Sequence, residues 1–416
     1  MFRFCLALFA TCLLVGCDAR IERFEPNQVY ALSLEHSRAV GTKTASEDVA
    51  RVVEKLFGTP QQPRWPADLL PDSLGSLADA DQLTRAAGAV SSDKQGTHRG
   101  LYIEHCVTCH AVEGSGTGPA SLLQNPYPRD FRPGIFKWKS TLRAAKPTRS
   151  DLLTLLEHGV PGTGMPSFAL IDAEDRQALV DYVIFLSVRG EVERTLLDLC
   201  VDDFGYEDED PLEDEDRLTW PPPEKYSDDE SIPDTIRDVA ESWKEAESEI
   251  ATVVPPSNGK SDRSAAINRG RDIFHGQVAN CVGCHGPDGN GQIVTLDYDD
   301  WTKEFSTSIG LTPTKRDEMK PFRSAGALRP RQIQPRNLQD GVFRGGGDGD
   351  TLYRRISQGI AGTPMPAVEI TAEESAKGLT SEQVWDLVYY LQSLGSADSL
   401  AAAPTAFANA IKAPKP

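Results

Sequence analysis

Cys106-Val107-Thr108-Cys109-His110 decides the fold of this chain, and its pattern returns at Cys281-Val282-Gly283-Cys284-His285. Two cysteines separated by two residues and followed by a histidine form the signature of covalent haem attachment. The two thiols reach the two vinyl groups of one macrocycle, and the adjacent imidazole lies beneath the iron. The two pentapeptides therefore predict two covalently bound haem c groups, with His110 and His285 as iron ligands.

The same cysteine spacing also occurs in structural zinc sites and in redox-active dithiols. A tetrahedral zinc site takes four Cys or His ligands. Each pentapeptide supplies three, and Cys200 is the one other cysteine beyond residue 17. A thioredoxin-like dithiol gives no reason for a histidine at the fifth position of both copies. Haem attachment is the interpretation that uses every residue of the motif, and we expect Cys200 to be a buried or free thiol.

Methionine is scarce, and two methionines lie in nearly identical loops downstream of the pentapeptides. Met165 and Met365 each follow a Gly-x-x-Gly-Thr-x segment and precede a proline, whereas Met319 lacks this frame. Glycine and proline hold an irregular backbone that can present sulfur to a metal, and a methionine that only fills the core has no need of them. We predict Met165 and Met365 as the second axial ligands. His/Met ligation raises the haem potential and leaves no open position on iron, which favours electron transfer over catalysis.

The internal repeat extends beyond the ligands. Pro128-Arg129-Asp130-Phe131 returns as Pro335-Arg336-Asn337-Leu338, but this segment begins 18 residues after the first pentapeptide histidine and 50 after the second. The second unit therefore carries an insertion at roughly residues 293–330, which we expect to be a loop. Glycines before each pentapeptide, Gly100 and Gly270, are expected to let a first helix approach a final helix closely. Apolar residues at helical spacing predict those final helices: Leu179, Tyr182, Val183 and Leu186, and Val384, Leu387, Val388 and Leu391.

Both units resemble class I cytochrome c domains, and the whole chain resembles a membrane-anchored, lipoprotein-like dihaem cytochrome c. The resemblance covers residues 98–195 and 259–396 and rests on the pentapeptides and the methionine loops together. It implies a mainly α fold with two class I cytochrome c-like haem domains in tandem, and the residues between them, 196–258, form an acidic linker by their composition. It also implies an exposed haem edge in each domain and one-electron exchange with partner redox proteins.

The same resemblance implies a proline carbonyl that orients each proximal imidazole. The candidates are Pro119 and Pro128 in the first unit and Pro335 in the second. Arg129 and Arg336 have the chemistry to pair with a haem propionate, and a surface salt bridge is the alternative for both.

Residues 1–17 have the composition of a lipoprotein-type signal peptide. One arginine precedes an apolar stretch too short to span a bilayer, and the segment ends in Leu14-Val15-Gly16-Cys17. This ending predicts that Cys17 is lipidated and anchors a periplasmic protein to the cytoplasmic membrane, and ordinary cleavage would instead release a soluble form. Residues 18–97 are expected to be an N-terminal extension with little core of its own, either a spacer from the membrane or an arm that grips a partner.

The net charge of −19 belongs mostly to one segment. Residues 201–250 carry 20 acidic and 4 basic side chains, a composition typical of an extended, self-repelling linker. This segment is either a docking arm for a basic redox partner or a solvated spacer. The charge disfavours nucleic-acid binding, and the Ala/Pro-rich tail at residues 397–416 is predicted to be disordered. An amphipathic helix inside the linker is indicated by Ile236, Val239, Trp243 and Ile250.

The sequence thus favours an electron carrier over an enzyme, and no catalytic residues are predicted. We expect transfer of single electrons between a quinol-oxidising complex and a terminal oxidase or reductase of a respiratory chain, at the outer face of the membrane. Two alternatives remain at this point. One is a dihaem peroxidase in which one iron opens to bind peroxide, and the other is a fixed haem subunit of a larger oxidoreductase.

Overall fold

The computed structural model describes residues 23–92, 98–206, 212–256, 262–292 and 297–395. The predicted leader with Cys17 and the predicted tail at 397–416 lie outside these residues. Two short antiparallel ribbons occur, β1 (Gly58–Thr59) with β2 (Gln62–Pro63) and β3 (Ser91–Ser92) with β4 (His98–Arg99). The other elements are helical, which confirms the mainly α fold class. Among the described residues, no helix is both long enough and apolar enough to cross a membrane.

The helices follow one another along the chain in two sets. Those before residue 210 are α1 (Gln28–Arg38), α2 (Lys43–Phe57), α3 (Asp72–Gly75), α4 (Ala80–Ala86), α5 (Leu101–His105), α6 (Val107–His110), α7 (Arg149–His158) and α8 (Ala173–Asp202). Those after it are α9 (Ser231–Glu245), α10 (Arg263–His275), α11 (Val282–His285), α12 (Asp300–Glu304), α13 (Arg316–Ser324), α14 (Gly349–Gln358) and α15 (Ser381–Leu394). Short 3-10 turns lie at Ala67–Leu69, Ser121–Leu123, Asp214–Asp216, Glu224–Tyr226, Ala246–Ser248, Thr307–Ile309 and Leu338–Asp340.

The predicted final helix of the first unit is α8, and it is the centre of that unit's core. Leu179, Tyr182 and Leu186 are buried in it as the helical spacing predicts, and Val183 is partly buried against the same core. The helix continues to Asp202, beyond the predicted end of the unit at residue 195. This extra length provides a packing surface for segments that come before and after the haem unit.

The N-terminal extension packs into the first unit, so the expectation that it has little core is wrong for its described part. Val49, Val52, Val53 and Leu56 recur at the spacing of one helix face and are fully buried in α2. Such a face requires a partner, and α8 supplies it. The ring of Phe185 in α8 lies 6.1 Å from the ring of Phe24 and 6.0 Å from that of Phe57 in the extension.

The acidic linker also packs on the first unit, and the expectation of an extended segment is wrong for residues 212–250. The predicted amphipathic helix is α9, which buries Ile236 and Trp243, and the Trp243 indole donates to Glu191 of α8 at 2.8 Å. Ile250 lies beyond the end of this helix and is exposed. The apolar positions of the linker outweigh its charge because each buried side chain contributes roughly 1.5–3 kcal/mol.

Two hydrogen-bonded carboxylates fix these added segments to one another and to α8. Asp48 of α2 is fully buried and accepts from Tyr206 at 2.7 Å and from two nitrogens of Arg217 at 2.8 and 2.6 Å. Glu193 of α8 accepts from the backbone N–H of Asn27 at 2.7 Å. Cys200 is buried in the same core and is free, as expected.

The second unit has a smaller core, built on the crossing of α10 with α15. The predicted residues Val384, Leu387 and Val388 are buried in α15, and Leu391 is partly buried. Thr380 and Gln383 form a capping box at the start of this helix. A Cβ on Gly270 would clash with the carbonyl oxygen of Asp386, so the close approach expected there is confirmed. The expectation is wrong for Gly100, which precedes α5 at φ 76°. A Cβ on Gly100 would clash with the carbonyl oxygen of Ala89, and α8 is not among its nearest neighbours.

The insertion of the second unit forms α12 and α13, so the expectation of a loop is wrong for its described part. Phe305, Met319 and Phe322 make a small core against residues of α1, and Met319 is an ordinary core residue as expected. Arg194 of α8 pairs with Glu304 of α12. The insertion therefore connects the second unit to the N-terminal extension of the first.

Candidate haem sites

Each pentapeptide folds as a single helical turn, α6 in the first unit and α11 in the second. The backbone N–H of His110 donates to the carbonyl of Cys106 at 2.8 Å, and His285 donates to Cys281 at the same distance. A turn closed in this way holds two cysteines and one histidine of a five-residue segment in a fixed arrangement. The local geometry therefore agrees with attachment of one macrocycle to each turn.

The proximal imidazoles are oriented by backbone carbonyls in both units. Nδ1 of His110 lies 3.0 Å from the carbonyl oxygen of Arg129, and Nδ1 of His285 lies 3.4 Å from that of Arg336. A carbonyl only accepts, so Nδ1 carries the proton and Nε2 keeps its lone pair for a metal. The predicted proline carbonyls are wrong, because in both units the arginine that follows Pro128 or Pro335 supplies the acceptor.

Burial favours the neutral imidazole that metal ligation requires. It lowers the pKa of His110 to about 4, against the opposing effect of the hydrogen bond to Arg129. Burial also lowers the pKa of His285. Both imidazoles are therefore expected to be neutral near pH 7.

The alternative of a zinc thiolate site finds no support in these residues. Burial raises the pKa of the Cys106 thiol to about 12 and that of Cys281 to about 11, so both are expected to be protonated thiols near pH 7 before attachment. Within the described ranges, no cluster of three or more His, Cys, Asp or Glu side chains has metal-binding geometry.

The two methionine loops have the same internal hydrogen bonds. In the first, Val160 N–H donates to the Met165 carbonyl at 3.1 Å, and Met165 N–H donates to the Thr163 hydroxyl at 3.1 Å. In the second, Ile360 N–H donates to the Met365 carbonyl at 3.2 Å, and Met365 N–H donates to the Thr363 hydroxyl at 3.2 Å. The threonine of the repeated frame thus closes each loop, which explains its presence in both copies.

A cavity of about 640 Å³ lies beside the pentapeptide and the methionine loop of the first unit, and residues of the second unit complete its wall. Cys106, Cys109, His110 and Met165 all line it, so the structure brings this predicted set together. Its volume is within the range of roughly 300–1,000 Å³ that is usual for ligand and cofactor sites. The second predicted set has the same turn, imidazole hydrogen bond and loop geometry as the first.

The wall of this cavity suits the carboxylates of a haem. Five cationic side chains, contributed by both units, line it, and Asp299 is the acidic residue beside them. The cations are Arg129, Lys137, Arg331, Arg336 and Arg344. Nε of Arg344 is buried and has no hydrogen-bond partner among the described residues. Burial lowers the pKa of Arg129 and of Arg344, as expected for cations that lack enough anionic partners. The propionates of haem c supply such partners, so the residues present fit the group.

The two repeated arginines reach across the boundary between the units, which the sequence did not predict. Arg129 of the first unit lies against the second methionine loop: its Nη2 is 3.3 Å from the position that a Cβ would take on Gly362. Arg336 of the second unit lies in the same way against the first methionine loop: its Nη2 is 3.0 Å from the position that a Cβ would take on Gly162. Arg336 also forms a surface pair with Asp340 at 3.3 Å, one of the two alternatives considered for it.

Two further side chains at the sites were missed by sequence reasoning. The ring of Phe131 stacks on the His110 imidazole at 4.5 Å between centroids, and its place in the repeated Pro-Arg-x-apolar segment is a signal that points to it. Arg143 donates to two carbonyls of the second methionine loop. Arg143 belongs to no repeated motif, and its contact lies between two units, so the sequence carries no comparable signal.

Comparison with known proteins gives a family match for each unit. The family model described as cytochrome c oxidase, cbb3-type, subunit III matches residues 94–183, and the one described as cytochrome c matches residues 267–395. No curated protein matches the chain. A solved structure from Kuenenia stuttgartiensis, titled as a reducing HAO-like protein complex, is similar at a TM-score of 0.43 and 22% identity, over 71% of this chain and 94% of that one. At that TM-score the similarity carries no argument about function.

Proposed function

Because the chain is a dihaem cytochrome c built from two cytochrome c domains with two covalently bound c-type haems, we propose that it is an electron carrier without catalytic activity of its own. Electrons pass one at a time between redox proteins. The observation that supports this most is the duplication of one complete set, a histidine and a methionine in equivalent frames. With both axial positions filled, neither iron has a free site for substrate.

The side chains act by holding the sites in one geometry during a change of charge. When bound, each haem supplies a one-electron couple at its iron. The carbonyls of Arg129 and Arg336 keep the proximal imidazoles in one tautomer. The Thr163 and Thr363 hydroxyls hold the methionine loops closed. Because no bond has to form or break in the protein, little reorganisation accompanies transfer.

The partners are a quinol-oxidising complex as donor and a terminal oxidase or reductase as acceptor, at the outer face of the cytoplasmic membrane. The support is the leader-like segment at 1–17 and its Leu-Val-Gly-Cys ending. Cys17→Ala should release the mature protein into the soluble periplasmic fraction. Retention of this variant on membranes at high salt would contradict the lipid anchor.

A fixed haem subunit of a larger oxidoreductase is a second candidate, favoured by the family match of the first unit. That family is described as a subunit of an oxidase. Purification from native membranes in mild detergent separates the two candidates. A carrier is recovered mostly alone, whereas a fixed subunit is recovered in constant stoichiometry with other chains.

A redox titration followed by visible spectra tests the proposed function. We expect two one-electron transitions, each with the spectrum of a six-coordinate haem, and no peroxide turnover at an enzymatic rate in the oxidised, half-reduced or reduced state. Substantial peroxide turnover in the half-reduced state would contradict a carrier and favour the dihaem peroxidase.

A further inference from the structure

The second methionine loop is held from outside by the first unit. Arg143 lies between the repeated segment of the first unit and α7, 222 positions before Met365 in the chain. Its Nη1 donates to the Met365 carbonyl at 2.8 Å, and its Nη2 donates to the Thr363 carbonyl at 3.0 Å. The two nitrogens of one planar guanidinium therefore bind both ends of the segment that carries the sulfur.

The loop leaves room for this guanidinium. A Cβ on Gly359, the residue that ends α14 at φ 67°, would clash with Nη1 of Arg143. The backbone carbonyl of Arg143 accepts from Lys139 at 3.1 Å, so its own segment is fixed at the base of the side chain. Glycine at position 359 and the Lys139 contact together place the charged group against the loop.

We propose that Arg143 is a positioning residue for the axial methionine of the second haem, so that the first unit sets the ligation and the potential of the second. This inference rests on the proposed function through the assignment of Met365 as an axial ligand. A guanidinium that binds two carbonyls restricts the loop further than its internal hydrogen bonds do, because it anchors the loop to the first unit. Its positive charge near the sixth ligand also disfavours the ferric state, which carries one more positive charge than the ferrous state.

The boundary between the units is fixed by further contacts, so the guanidinium keeps its place. Lys137 of the first unit pairs with Asp299 of the second at 3.0 Å. The Arg355 guanidinium of the second unit lies 5.0 Å from the centroid of the Trp138 ring in the first. The two units therefore meet through several side chains on the same segment, residues 137–143, that presents Arg143.

The test compares Arg143→Met with Arg143→Lys. In the ferrous protein an iron-bound methionine gives a strongly upfield-shifted methyl proton resonance, and Met165→His and Met365→His assign the two signals. Arg143→Met should weaken or remove the Met365 signal, leave the Met165 signal in place, lower the midpoint potential of the second haem and remove about half of the sulfur-to-iron charge-transfer absorbance. Arg143→Lys keeps the positive charge but cannot donate to both carbonyls from one planar group. It should therefore retain more of the Met365 signal than Arg143→Met does.

Arg176→Met is the matched control, because Arg176 donates to carbonyls of Ala169 and Ile171, after the methionine of its own unit. It should leave the Met365 signal unchanged. The proposal is overturned if folded Arg143→Met or Arg143→Lys shows the Met365 signal and the second potential of the wild type, or if Arg176→Met changes them equally. A wild-type protein without a Met365 signal would instead overturn the ligand assignment itself, and with it the proposed carrier.

Discussion

The two haem units share their attachment turns and methionine loops, yet they differ in what surrounds these parts. In the first unit, the extension and the linker enclose α8, and Phe131 stacks on the proximal His110. In the second, Leu338 occupies the position equivalent to Phe131, and Cys284 is exposed, whereas Cys109 is partly buried. The repeated motif thus fixes the chemistry of each site, and the segments outside the motif set its exposure. Because a drier site disfavours the more highly charged ferric iron, the first haem should have the higher potential.

The largest expected effect comes from exchange of the axial ligand in one unit at a time. Met165→His and Met365→His should each lower the potential of one haem, by a fraction of the ~0.8 V range that all axial ligand types together span. A spectroelectrochemical titration of both variants assigns the two wild-type potentials. We expect Met165→His to change the higher of the two wild-type midpoint potentials. If it changes the lower one, our ranking of the units by exposure is wrong.

The next effect is on stability and compares the two cores. Phe185→Ala should reduce the free energy of unfolding by about 3–5 kcal/mol, and Leu387→Ala by about 2–5 kcal/mol. Since the Phe185 ring packs against Phe24 and against Phe57 at the end of α2, its loss should also speed hydrogen exchange around Phe24 and in α2. Hydrogen exchange read by mass spectrometry locates each effect, and unchanged exchange in α2 of Phe185→Ala would contradict a shared core.

A smaller difference is expected between two carboxylates that bind arginine. Asp48 is fully buried and accepts from Tyr206, Arg51 and two nitrogens of Arg217, so Asp48→Asn should cost about 1.5–3 kcal/mol. Asp386 of the second unit also binds an arginine, Arg269, but that partner is 53% exposed, and Asp386→Asn should cost no more than ~1 kcal/mol. Denaturant titration of both variants measures the difference, and equal costs would show that the linker contributes little to the first unit.

The smallest effect is a pH dependence at the contact between α8 and α9. Burial raises the pKa of Glu191, while Lys146 and Trp243 oppose it. Glu191 therefore binds more protons in the folded state than in the unfolded chain. The stability that this protonation contributes is fully present below the pKa of Glu191 in the unfolded chain, and it is lost as the pH rises through the pKa in the folded state. Wild type should lose stability relative to Glu191→Gln above about pH 4.3, at ~1.4 kcal/mol per unit of pKa shift. Parallel stability curves of the two proteins would contradict this sign.

Sequence reasoning was most accurate where the chemistry is local. The pentapeptide turns and the threonine-closed loops depend on neighbours within a few residues, and both are visible as repeated patterns in the sequence. The packing of residues 23–92 differs from the expectation although Val49, Val52, Val53 and Leu56 form a helical face, because the partner of that face, α8, lies more than 100 residues further along the chain. The charge of the linker favours an extended segment, but the apolar face that its sequence also indicates, with Ile236 and Trp243, packs into the core of the first unit and outweighs that charge. Arg143 pairs with atoms more than 200 residues away, and no local pattern encodes such a contact.

Carbon monoxide binding to the fully reduced protein tests the central claim most directly, because carbon monoxide binds ferrous haem only where an axial position is open. Wild type should show no carbon monoxide-dependent change in its visible spectrum, because we propose a histidine and a methionine as the axial ligands of each iron. Met165→Ala and Met365→Ala should each bind about one carbon monoxide per chain, which shows that the assay detects one open iron. Binding of about one carbon monoxide per chain by the wild type would contradict two closed haems and the electron carrier built on them.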